Sequence, residues 1–177
     1  MGLSVVLVLF LIIGMMLPEK LHVERTVKIK ATSQQIYGYL ASFKKFNQWS
    51  PWAVIDPKTE YKFVGPLQGV GAIMHWKSEH SSVGAGSQKI IEASEFTKVK
   101  SVLAMGNLGK SYATFNLKTE GSQTVVTWSF DMSFGFNIPA RIVGLGMDEG
   151  LGHSYETGLQ RLKQLMETGK ITEDVRS

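Results

Sequence analysis

The sequence has no cysteine, which excludes a disulfide framework, a thiolate metal site and a cysteine nucleophile together. It is also sparing with charge: only 19% of residues are Asp, Glu, Lys or Arg, and residues 1–18 carry no charged side chain at all. Nineteen basic against fifteen acidic residues leave a net +4, so the whole excess lies beyond residue 18. That excess is too small, and the aromatic residues too core-like in their spacing, for a nucleic-acid surface; no nucleic-acid partner is expected. Lys20, Arg25, Lys28, Lys30, Lys44 and Lys45 cluster early, either as a solvated strand edge and loop or as a patch for anionic headgroups. Histidine is scarce too, with four residues. His22, His75 and His153 fall on outward positions and His80 falls in a turn, so no metal-ligand set is expected.

An unbroken apolar run, Leu3 to Leu17, is closed by Pro18 and the pair Glu19-Lys20. Counted from Met1 it is about 17 residues, the lower limit for a helix spanning roughly 30 Å of hydrocarbon. It has neither a basic n-region nor small residues before a cut site, which favours an uncleaved anchor over a removed signal. The expectation is a single-pass membrane protein anchored through residues 1–17, with the side of the membrane left open. The divisions expected are an anchor over 1–18, one domain over 19–169 and a polar tail over 170–177.

Downstream, the pattern changes from alternation to helical period and back. Leu21, Val23, Val27 and Ile29 alternate with polar residues, a half-buried strand in which Arg25 breaks the apolar set. Thr32, with Gln35 three residues on, forms a capping-box pattern ahead of a short helix, and a second short helix through Phe43, Phe46 and Trp49 ends at Ser50-Pro51. Turn signals then recur every eight to twelve residues and separate six segments near 59–64, 70–78, 86–94, 98–105, 111–118 and 123–132. Finally, Met147, Leu151, Tyr155, Gly158, Leu162, Leu165 and Met166 share one stripe of a long helix over 147–168, preceded by Asn137 and Pro139 as start signals and stopped by Gly169. Strands with one apolar face need a partner layer, so the chain reads as an α+β domain: a curved antiparallel seven-stranded sheet around a long C-terminal helix, preceded by one transmembrane helix.

The local motifs sharpen this. Phe46-Asn47-Gln48-Trp49-Ser50-Pro51-Trp52 followed by Asp56-Pro57, Gly69-Val70-Gly71, Gly84-Ala85-Gly86-Ser87, and Met147-Asp148 with Tyr155-Glu156-Thr157-Gly158-Leu159 resemble the polyketide cyclase/dehydrase-like members of the START-related (SRPBCC) lipid-binding superfamily, in particular membrane-tethered bacterial proteins. The resemblance covers about residues 20–168. It implies the helix-grip fold and a hydrophobic cavity between sheet and long helix. It does not fix the reaction, since the same superfamily holds carriers, receptors, cyclases and interaction modules.

The candidate lining of that cavity is Met74, Trp76, Met105, Phe115, Trp128 and Phe130 from the strands, Trp49 and Trp52 at one rim, and Met147, Leu151 and Tyr155 from the helix. Side chains at strand spacing fill cores equally well, and Trp49-Ser50-Pro51-Trp52 reads more readily as a hydrophobic plug than as an open entrance. For catalysis the weak candidates are Tyr155 and Arg25, which together could polarise a carbonyl, against the plainer roles of a core phenol and an ion-paired arginine. Gly106 to Ser111 ends like a phosphate-binding loop but lacks its first glycine and leads into a strand. No cofactor is expected. The function read from the sequence is membrane-tethered binding of a lipid-like or polycyclic hydrophobic molecule; the alternatives are a cyclase or dehydratase and a chaperone-associated interaction module.

Overall fold

The computed structural model describes Gly14, residues 16–105 and residues 110–171, with Lys110 described by its backbone alone. The elements in order are β1 (Lys20–Ile29), α1 (Ser33–Leu40), α2 (Phe43–Trp49), α3 (Trp52–Ile55), β2 (Glu60–Val64), β3 (Ile73–Lys77), β4 (Ala85–Ser94), β5 (Lys98–Ala104), β6 (Lys110–Glu120), β7 (Gln123–Ser133) and α4 (Ile138–Thr168). The strands form one seven-stranded antiparallel sheet in the order β1-β7-β6-β5-β4-β3-β2, so β1 crosses the chain to pair with the last strand and the rest meander. With α4 packed against it, this is the helix-grip arrangement.

Local chemistry accounts for the boundaries. The Thr32 side chain accepts from the Gln35 backbone N–H while the Gln35 side chain accepts from the Thr32 N–H, a complete capping box that starts α1. α2 stops before Pro51, and Pro51 then caps the single turn of α3, which the sequence reading did not contain. A proline that ends one helix can begin the next, because its fixed φ suits a first turn and its missing N–H is not needed there. α4 is one continuous helix of 31 residues, longer than the 147–168 expected. The Asn137 side chain accepts from the Ala140 N–H at its start, and Gly169 closes it at φ 74°. Gly144 does not break it, because the position is buried where an added methyl would overlap the Phe134 ring.

The alternation in β7 appears as burial: Thr124, Val126, Trp128, Phe130 and Met132 are buried, joined by Ala113, Phe115 and Leu117 from β6 and by Val23, Val27 and Ile29 from β1. Tyr155, Leu159 and Leu162 of α4 close on them from the other side. Each large side chain so buried contributes about 1.5–3 kcal/mol relative to exposure.

The single-pass membrane localisation is corrected by the structure: among the described residues, no helix is long and apolar enough to cross a membrane. The apolar run that prompted it lies outside the described residues except for Gly14, Met16 and Leu17. Of these, Gly14 lies against the Ile138 side chain and the Leu17 carbonyl accepts from Arg141 Nη1 at 3.0 Å, both at the start of α4, while Met16 is exposed. The polar tail after Ile171 also lies outside them, as does most of the phosphate-loop lookalike, whose last residues enter β6.

Candidate functional site

Residues of five strands, one face of α4 and the α2–α3 corner leave a cavity of about 190 Å³ between them. Met74 and Trp76 of β3, Gln88 of β4, Leu103 and the adjoining Met105, and Phe130 of β7 form the sheet wall. Met147, Leu151 and Tyr155 recur every four residues along α4 and form the opposite wall. Phe46, Asn47, Ser50 and Trp52 of the α2–α3 corner complete the lining, with Tyr61 of β2 and with Ser82 and Val83 of the β3–β4 connection.

Eight residues expected from the sequence therefore meet around one space: Trp52, Met74, Trp76, Met105, Phe130, Met147, Leu151 and Tyr155. Trp49, Phe115 and Trp128 do not line it. They form an aromatic layer behind the lining, with Trp49–Trp128 at 5.4 Å and Phe115–Trp128 at 4.8 Å between ring centroids. Trp49 is wholly buried, as a plug would be, and its carbonyl accepts from Arg161 Nε at 3.1 Å. Among the described residues, the indole N–H groups of Trp49 and Trp128 are buried without a partner, a cost of about 1–3 kcal/mol each that the surrounding ring contacts offset.

Sequence reasoning missed Phe46, Asn47, Ser50, Tyr61, Ser82, Val83, Gln88 and Leu103 as lining residues. Two were within reach. Gly86, Gln88 and Ile90 share a face of β4, and Val99, Ser101 and Leu103 share a face of β5, so the same alternation that placed Met74 and Trp76 puts Gln88 and Leu103 inside.

Tyr155 is only 2% exposed, and its ring stacks on Trp128 at 3.8 Å with 13° between planes. Trp52 meets both rings edge-on, at 5.8 and 6.2 Å. Among the described residues the Tyr155 hydroxyl has no hydrogen-bond partner. Burial raises its pKa, helped by the negative charge of Asp131, so it stays a neutral phenol able to donate and accept. On the sheet wall, the Gln88 amide nitrogen donates to Ser101 Oγ at 2.6 Å, and Ser101 Oγ donates to the Ala113 carbonyl at 3.3 Å. At the mouth, Trp76 Nε1 donates to the Val83 carbonyl at 3.2 Å. The Ser78 hydroxyl donates to Asp56 Oδ2 at 2.5 Å; that bond, with the Lys58 N–H, holds the Asp56 carboxyl below its ordinary range.

Arg25 is not brought into the cavity. Its Nε donates to Glu156 Oε1 at 2.6 Å and its guanidinium lies over Gly152, so it does not form a carbonyl-polarising pair with Tyr155. Asp148 is exposed, and Ser154 donates back to the Gly150 carbonyl within the helix. All four histidines are exposed, and His22 contacts Asp131 at 2.7 Å on the outer face of the sheet. Among the described residues there is no group of three or more His, Asp or Glu able to hold a metal ion.

The family profile described as "Polyketide cyclase / dehydrase and lipid transport" matches residues 20–167. No curated protein matches the sequence. Among solved structures, a truncated norcoclaurine synthase from Thalictrum flavum is 15% identical, covers 85% of this chain and 96% of its own, and superposes with a TM-score of 0.65. The Aha1 dimer from Colwellia psychrerythraea is 19% identical, covers 84% and 98%, and gives a TM-score of 0.60. At these identities the likeness is one of fold.

Proposed function

Because the chain belongs to the polyketide cyclase/dehydrase and lipid transport family, we propose that it binds a lipid-like or polycyclic apolar small molecule between the sheet and α4. The observation that carries this reading is the lining: an open space of about 190 Å³ whose walls are mostly aromatic and Met side chains, with a few polar groups among them. Removing apolar ligand surface from water contributes roughly 25 cal/mol per Å². Met74, Met105 and Met147 give the walls side chains that adapt to an irregular outline. The Tyr155 phenol is the polar group best placed to orient the guest, being buried, neutral and without a partner among the described residues.

The neutral fluorescent probe N-phenyl-1-naphthylamine tests this reading. The full chain takes it up saturably at one site, and Leu151→Trp, which fills the cavity from the α4 wall, abolishes uptake without lowering the melting temperature. Equal uptake by the variant would contradict the proposal.

The same hydroxyl supports a second reading, a cyclase or dehydratase in which Tyr155 donates a hydrogen bond to a substrate carbonyl as charge develops on it. Arg25, tied to Glu156, has no part in it. On that reading Tyr155→Phe keeps ligand affinity within a few-fold and loses turnover of a polyketide-like chain.

A further inference from the structure

Gln88 is one of the few polar side chains facing the cavity, and its orientation is fixed by counting protons. Ser101 Oγ contacts the Ala113 carbonyl at 3.3 Å and the Gln88 amide nitrogen at 2.6 Å. A carbonyl only accepts, so the single hydroxyl proton of Ser101 goes to Ala113, and Ser101 Oγ must accept from Gln88. The NH₂ of Gln88 therefore faces Ser101 and its Oε1 faces away. Gln88 and Ser101 are both buried, and Gln88 lines the cavity. Oε1 has no partner among the described residues, yet it is not one of the buried polar atoms sealed without a partner. The open side of a buried lining residue is the cavity, so the cavity wall presents a fixed hydrogen-bond acceptor. Meanwhile no charged side chain among the described residues lines the space.

On the reading of this cavity as a binding site, we propose that Gln88, locked by the Ser101–Ala113 relay, selects a neutral ligand that donates a hydrogen bond: an apolar body carrying a hydroxyl or N–H, in preference to its ether or its carboxylate counterpart. An ether leaves the Oε1 of a buried side chain unpaired, and a carboxylate sets its charge against an acceptor with no cation beside it. The Tyr155 hydroxyl can donate to an alcohol or an ether and can also accept from an alcohol, so the share of the preference that belongs to Gln88 is the part lost in Gln88→Met.

Calorimetric titration of the full chain with naphthalene, 2-naphthol, 2-methoxynaphthalene and 2-naphthoate tests the assignment. Wild type binds 2-naphthol roughly tenfold tighter than the ether and at least tenfold tighter than the acid. In Gln88→Met, which keeps the volume and removes the acceptor, the alcohol-to-ether ratio falls to about one while naphthalene affinity is kept. Ser101→Ala frees the amide to turn its NH₂ toward the guest, and the ratio again collapses, now because the ether gains. A tenfold preference that survives both variants overturns the role of Gln88 but leaves the cavity reading standing. Should the acid bind as well as the alcohol, selection for neutral ligands is overturned. If none of the four probes binds, naphthalene included, the cavity reading falls and the inference with it. Were Gln88→Met to fail to fold, Ser101→Ala alone would decide.

Discussion

Tyr155 stacks its ring on Trp128, lines the cavity, and has no hydrogen-bond partner for its hydroxyl among the described residues. Burial raises its pKa above the 10.0 of a free phenol, so the folded state holds that proton more tightly than the unfolded chain does. The resulting stability is complete below pH 10 and is lost as pH rises beyond it. Denaturant titrations at a series of alkaline pH values are therefore expected to show a fall above pH 10 that is shallower in Tyr155→Phe; Tyr37 and Tyr61, raised in the same direction, supply the remainder. At neutral pH the same substitution changes stability by less than about 1 kcal/mol, because no hydrogen bond within the protein is broken. Arg25→Gln likewise costs less than about 1 kcal/mol, since its pair with Glu156 is half-exposed, and it leaves probe binding unchanged. What was legible at this scale followed from periodicity, which put Met74, Trp76, Phe130, Leu151 and Tyr155 inside. Which inward residues touch empty space, and which lie one layer back like Trp128, depends on ångström-level packing that periodicity does not carry.

In α4 the five glycines divide by what surrounds them. An added methyl at Gly158 would lie 3.0 Å from both the Pro51 ring and the Trp128 indole, whereas Gly146 and Gly150 have nothing within 4 Å. Gly158→Ala is expected to destabilise the protein by about 1–3 kcal/mol through overpacking. Gly146→Ala and Gly150→Ala are expected to stabilise it by about 0.5–1 kcal/mol each through helix propensity, with thermal melting separating the two classes. Gly86 on β4 belongs with Gly158: a methyl there would press on the Trp76 ring and on the Ala104 carbonyl at 2.7 Å, and so tilt the cavity wall. Helix-forming and strand-forming signals were strong enough in the sequence to order, among the described residues, the seven strands of the sheet and α1, α2 and α4. α3 escaped because a single turn opened by Pro51 has no periodicity of its own, and the first turns of α4 were marked by Asn137 and Pro139 as start signals, while the apolar stripe that bounded the long helix begins only at Met147.

The whole molecule joins a sheet ordered β1-β7-β6-β5-β4-β3-β2 to one long helix, and the space left between them is the centre of the functional account. The layer architecture could be argued from apolar alternation alone, because seven one-sided strands need a cover and the amphipathic C-terminal helix is long enough to provide it. The membrane localisation could not be carried through: it rested on a run of residues largely outside those described, and no described helix has the length and apolarity to cross a bilayer. Whether the core is hollow was open in the sequence too, because the same aromatic stripes serve a filled interior and a lined one. A hollow interior has an energetic signature at this scale. A ligand present at a hundred times its dissociation constant adds about 2.7 kcal/mol to the folded state, so saturating 2-naphthol raises the melting temperature of wild type but not of Leu151→Trp. The most direct measurement is native mass spectrometry of the full chain purified without added lipid, followed by organic extraction of whatever it retains. Apolar, uncharged mass at close to one molecule per chain is expected, absent from Leu151→Trp. A chain that is empty as isolated and also fails to take up N-phenyl-1-naphthylamine would contradict it.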